Sequence, residues 1–179
     1  MTGRASEAII GAPRAGERFA VVAARFNEPI SKKLVDGALS ALSLHGVPDS
    51  AVDVHWVPGS FELPQAALGL ARTRRYAGIV CVGAVIKGET PHFDYVSGVA
   101  AHGISRAALD TGIPVGFGVI TALTYEQAWA RAGGDVGNRG EEAALATLAM
   151  ARWQPTEAPA RSRKSQARAG ARRRPRPHR

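Results

Sequence analysis

The stretch Lys87-Gly88-Glu89-Thr90-Pro91-His92 combines residue types that can hold an anion and move a proton. An apolar run of strand length, 78–86, precedes it. Residues 91–111 follow with helical spacing. Thr90 suits an N-cap and Pro91 a first helical position. Free N–H groups at that helix start, with the helix dipole, make a site for a phosphate. A positive helix end disfavours imidazolium, so His92 is expected as a neutral base in the first turn. A carboxylate would repel a phosphate, so Glu89 is expected to offer its N–H and turn its side chain away.

Three other turns carry comparable chemistry: Arg25-Phe26-Asn27-Glu28, Pro58-Gly59-Ser60-Phe61-Glu62 and Thr121-Ala122-Leu123. Plainer roles stand beside each. A histidine at a helix start is more often a solvated group, and Phe26 and Phe61 are more often core. Glu62 could be only a first-turn charge. Arg131 and Arg139 would ordinarily be solvated or ion-paired. Cys81, alone in the chain, reads as a small core residue and forms no disulfide or thiol metal cluster. Nothing lowers the pKa of Lys87 enough for Schiff-base chemistry.

The elements that must position these residues alternate. Strands are expected at 18–24, 51–57, 78–86 and 114–121. Helices are expected at 29–45, 61–73, 91–111, 124–132 and 141–153, with a break over 133–140. Thr124 and Gln127 open the fourth helix as a capping box. Such alternation favours an α/β, flavodoxin-like three-layer sandwich: a four-stranded parallel sheet with helices on both faces. Ligands of such sheets bind beyond the C-terminal strand ends, where all four turns lie.

The net charge of +8 is uneven. Residues 155–179 hold nine Lys or Arg and one acid, whereas the remainder balances at 14 of each sign. The body therefore lacks a nucleic-acid signature. The expected organisation is a flexible leader (1–17, where 8–10 could add an edge strand), a domain over 18–154, and a disordered Arg/Pro-rich tail over 155–179. The longest apolar stretch, 77–86, is too short to span a bilayer. The N-terminus does not read as a secretory signal, so a cytoplasmic location is the default.

The strings RFNEPISKKLVDGAL, VPGSFELP, GAVIKGETPHFDYV, PVGFGVIT and EQAWARAG with GNRGEEAA resemble the lumazine synthase family in order and spacing, over roughly residues 18–153. The resemblance implies condensation of 5-amino-6-(D-ribitylamino)uracil with 3,4-dihydroxy-2-butanone 4-phosphate. The products are 6,7-dimethyl-8-ribityllumazine, phosphate and water, and neither metal nor organic cofactor is required. By the same resemblance, Phe26 stacks on the pyrimidine. Ser60, Phe61 and Glu62 hold the ribityl chain and ring, and Ala84, Val85 and Ile86 meet the pyrimidine edge. Glu89 and Thr90 bind phosphate, and His92 is the acid–base catalyst. Phe117 and Arg131 reach in from a neighbouring subunit, with Arg131 on the phosphate.

Arg139 stands where the family usually has Lys, and the stretch after Gln154 is outside the family pattern. The resemblance further implies a homo-oligomer, a pentamer that in some members packs into a 60-subunit shell. The short 133–138 break is similar to that of members forming an icosahedral shell, and so favours the shell. Two other readings remain at this point: a non-catalytic flavin- or lumazine-binding homologue, and a shell whose basic tail binds a polyanion such as RNA.

Overall fold

The computed structural model describes residues 14–153. The expected edge strand at 8–10 and the expected disorder of 155–179 lie outside the described residues. Four parallel strands form the sheet: β1 (Phe19–Ala24), β2 (Val52–Val57), β3 (Gly78–Ile86) and β4 (Val115–Ala122), in the order β2-β1-β3-β4. Helices α1 (Glu28–Leu44), α2 (Leu63–Arg72), α3 (His92–Thr111), α4 (Tyr125–Ala130) and α5 (Arg139–Arg152) connect and follow them. The flavodoxin-like three-layer arrangement holds.

Alternation along each central strand sends successive side chains to opposite layers. Phe19, Val21, Ala23, Val80 and Val82 pack with α1 and α5 on one face. Ala20, Val22, Ala24, Ile79 and Cys81 pack with α2 and α3 on the other. β3 is covered on both faces, so its sequence GIVCVGAVI reads as one apolar run. Burial also pushes the Cys81 thiol up to about 12, because the interior disfavours a thiolate. In α1 the apolar spacing of Ile30, Leu34, Val35, Ala38 and Leu42 becomes the buried stripe; each of the larger side chains, Ala38 aside, contributes roughly 1.5–3 kcal/mol.

Glycines let backbone approach backbone at the β4 edge. A Cβ on Gly116 would collide with the Ala143 carbonyl, and one on Gly140 with the Leu34 carbonyl. β4 and α1 thus both lie close under α5. Phe117, between Gly116 and Gly118, faces away from α5.

Several expected boundaries shift. The third helix starts at His92, with Pro91 at the cap and no side-chain cap bond from Thr90. The Pro91 carbonyl accepts the Asp94 N–H at 3.0 Å, so proline itself sets the first turn. The second helix starts at Leu63, leaving Phe61 in the preceding turn. The fourth stops at Ala130, because Ala132 joins a small antiparallel hairpin, β5 (Ala132–Gly134) with β6 (Gly137–Asn138). That hairpin occupies the expected break. Half of the expected capping box forms: Thr124 Oγ1 accepts the Gln127 N–H at 3.3 Å, while Gln127 Oε1 accepts the N–H of Leu123, one residue before the cap, at 3.0 Å.

Among the described residues no helix is long and apolar enough to cross a membrane.

Candidate active site

The strand order locates the site before any side chain is considered. The chain leaves β1 for β2 on one side, returns across β1 to β3, and continues to β4. Connections therefore diverge between β1 and β3, which opens a crevice beyond their C-terminal ends. A cleft of 440 Å³ lies there, lined by Phe26, Pro58, Gly59, Ser60, Phe61, Glu62, Ala84, Val85, Ile86, Gly88, Thr90, His92, Phe93 and Val96.

Nine of the residues expected from sequence meet in this cleft: Phe26, Ser60, Phe61, Glu62, Ala84, Val85, Ile86, Thr90 and His92. Glu89 does not line it and is exposed. Phe26 and Phe61 are not core residues; they are 73% and 55% exposed. Aromatic rings left open above a crevice supply flat apolar faces for a planar ligand.

Ser60 is 4% exposed, and its hydroxyl finds no hydrogen-bond partner among the described residues. A buried hydroxyl without a partner is costly, and a bound polar ligand can relieve it. Gly83 makes room for it, since a Cβ there would sit 2.8 Å from Ser60 Oγ.

The end of β3 provides a peptide edge. The Ala84 carbonyl points to the β1 side, where Asn27 Nδ2 donates to it at 3.0 Å. The Lys87 N–H points to β4 and donates to Ala122 at 2.9 Å. Strand peptides alternate sides, so Ile86 turns its N–H and C=O toward β1, past the last β1/β3 pair at Ala23 and Val82. A donor and an acceptor on one edge match a heterocycle carrying both.

Phe117, Arg131 and Arg139 lie elsewhere. They line a second cleft of 580 Å³ at the β4 edge, together with Val119, Ile120, Thr121, Glu142, Ala143 and Ala146. No residue lines both clefts. Arg131 closes α4 and donates from Nη1 to the Gln127 carbonyl at 2.9 Å. Its own carbonyl accepts the Arg139 N–H at 2.9 Å. The Arg139 guanidinium is paired with the Glu142 carboxylate. Asn138 caps α5 through Oδ1, 2.8 Å from the Gly140 N–H, and ties it to α1 by donating to the Lys33 carbonyl at 2.9 Å. The hairpin thereby holds both arginines at the sheet edge.

Pro58, Gly59 and Gly88 lie in the turns singled out from sequence, but sequence reasoning missed Phe93 and Val96 as lining residues, and Asn27 as the tie to Ala84. Val96 follows His92 by one helical turn, a spacing that could have revealed it. No sequence signal connects Asn27 to Ala84. Among the described residues no group of three or more His, Cys, Asp or Glu could hold a metal ion.

The sequence has a counterpart among known families. Residues 16–154 match the family model of 6,7-dimethyl-8-ribityllumazine synthase. The chain belongs to the 6,7-dimethyl-8-ribityllumazine synthase family.

Proposed function

We propose that the chain condenses 5-amino-6-(D-ribitylamino)uracil with 3,4-dihydroxy-2-butanone 4-phosphate, forming 6,7-dimethyl-8-ribityllumazine, phosphate and water. The observation carrying this reading is the β1/β3 cleft, where open aromatic faces, an unpartnered buried hydroxyl, a free peptide edge and His92 converge. In this reading Phe26 stacks on the pyrimidine and the Ala84–Ile86 strand end pairs with its edge. Ser60 and Glu62 accept or donate hydrogen bonds to the ribityl hydroxyls, with Phe61 packed beside them. Thr90 and the neighbouring amides face the phosphate.

The substrate amine is the nucleophile, so no protein nucleophile is needed. It attacks the ketone and releases water as an imine forms. Phosphate then leaves by elimination, and the ribitylamino nitrogen closes the ring with loss of a second water. The protein aligns two substrates and supplies a proton carrier, His92. Aligning them is the larger task, because it replaces an encounter of two solutes with a local reaction.

Arg131 is the natural partner for the leaving phosphate, yet it lines the other cleft. We assign the complete site to two subunits: one gives the β1/β3 cleft and its neighbour gives Phe117, Arg131 and Arg139. Large apolar side chains left open on the single chain support assembly. Tyr95, Val99 and Leu109 on α3 are 72%, 42% and 79% exposed, and Phe117 is 45% exposed. A surface so apolar usually marks an interface. A pentamer, and a shell of pentamers, are the assemblies proposed; sedimentation of the purified protein distinguishes them.

The deciding experiment mixes both substrates with purified protein and follows lumazine fluorescence. Product above the spontaneous rate supports the synthase. Absence of product with retained binding of the ribitylaminouracil would instead make the chain a non-catalytic binder.

A further inference from the structure

Asn27 does not line the cleft, yet the turn it belongs to joins three of its walls. Its backbone is left-handed, φ 61° and ψ 41°, a conformation asparagine adopts more readily than most side chains. Its carbonyl accepts the N–H groups of Ile30 at 3.0 Å and Ser31 at 3.2 Å, which begins α1. Just before it, the Phe26 N–H donates to Pro58 at 3.0 Å and the Arg25 N–H to Val57 at 2.8 Å. Those bonds tie the turn to the wall that bears Ser60. The side chain ties it to the third wall, donating from Nδ2 to the Ala84 carbonyl at 3.0 Å. The β1/β3 ladder has already ended at Ala23 and Val82. The side-chain amide therefore stands in for the peptide of the next rung. Ala84 is 2% exposed, so water cannot readily replace that donor.

We infer that Asn27 is a positioning residue that sets the gap between the Phe26 ring and the Ile86 peptide edge, and with it the affinity for the pyrimidine held between them. This deepens the proposed synthase reading and rests on it for the identity of the ligand. The phosphate end belongs to the α3 side of the cleft, which Asn27 does not touch, so its effect falls on one substrate.

Two variants test this. Asn27→Gly permits the left-handed backbone and removes the amide. Asn27→Asp keeps the side-chain shape and sets a carboxylate oxygen against the Ala84 carbonyl. The intact protein and both variants are titrated with 5-amino-6-(D-ribitylamino)uracil, and turnover is measured against each substrate separately. The expected result is an approximately ten-fold weaker pyrimidine dissociation constant and KM in both variants, the cost of one lost hydrogen bond at a binding wall. The KM for the butanone phosphate and kcat should stay near the parent values. An unchanged pyrimidine dissociation constant in both variants overturns the inference. So does an equal rise in both KM values, which would mark a merely structural role. If the parent protein binds the pyrimidine and makes no lumazine, the synthase reading falls while the titration still decides the role of Asn27.

Discussion

The two ends of the sheet solve opposite problems. At the N-terminal end, polar groups are spent on one another. Arg18 Nη2 reaches both Asp53 carboxylate oxygens, at 2.9 and 3.0 Å, and Tyr76 Oη donates to the same carboxylate at 2.8 Å. Arg75 lies over the Tyr76 ring at 5.7 Å. A depression of 820 Å³ opens there, larger than either cleft described above. Size does not make it the site, because Arg18, Arg75 and Tyr76 on its wall already have partners. At the C-terminal end the Ser60 hydroxyl is unpartnered among the described residues, two phenylalanines stand open, and β3 runs past its neighbour. Arg18 Nε and Ser31 Oγ are also buried without a hydrogen-bond partner among the described residues, so it is the convergence of Ser60 with open rings and a strand end that marks the C-terminal end.

Substitutions at the two ends should therefore separate activity from stability. The largest effect is expected from His92→Ala, with turnover falling about a hundred-fold or more, the usual contribution of a general acid–base group. Thermal unfolding and pyrimidine binding should barely change. Equal turnover in variant and parent would remove His92 from the chemistry.

Arg131→Ala should raise the KM for the butanone phosphate by about ten-fold, through loss of a charge-assisted contact. At subsaturating butanone phosphate, mixed oligomers of His92→Ala and Arg131→Ala chains should turn over faster than either variant alone. Recovery would show that the two clefts meet across subunits; failure after verified mixing would confine each site to one chain.

At the other end, Tyr76→Phe should leave KM and kcat alone while lowering stability by about 1 kcal/mol, readable by denaturant unfolding. A loss of turnover there would break the contrast. The smallest effect concerns pH. The Tyr76 hydrogen bond, followed by the Arg18 contact, holds the Asp53 carboxyl below its ordinary value of 3.8. A depressed carboxyl stabilises the fold above that ordinary value, and the benefit is lost as acid protonates it. The melting-temperature gap between the parent and Asp53→Asn should thus be full at neutral pH and shrink as the pH falls below 3.8. A gap constant with pH would deny the ion pair that role.

Much of this architecture was legible because it depends on local pattern. β3 could be read to the residue, since a strand buried on both faces is apolar over its whole length. The buried stripe of α1 follows equally from helical spacing. The hairpin of β5 and β6 was not legible. It is short and glycine-rich, and Asn138 is fixed by a carbonyl 105 residues away. Phe26 and Phe61 looked like core residues by type; only the crossover between β1 and β3 leaves them open. Proline chemistry misled at α3, where Pro91 forms the cap instead of the first helical residue. In the site, the chemistry-bearing side chains were found by type and spacing. Val96 could have been found by its helical spacing from His92, whereas the Phe93 lining and the Asn27 tie depend on three-dimensional proximity.

Cys81 gives the sheet a built-in reporter. It is the chain's single cysteine, lies at the middle of β3 and is fully buried. With its thiol raised to about 12, almost none is thiolate at neutral pH, and thiolate is the form that alkylating reagents capture. Labelling must therefore wait until the α2/α3 layer lifts from that face of the sheet. The rate at which a maleimide adds to this one sulfur then measures how often that layer opens, without any engineered probe.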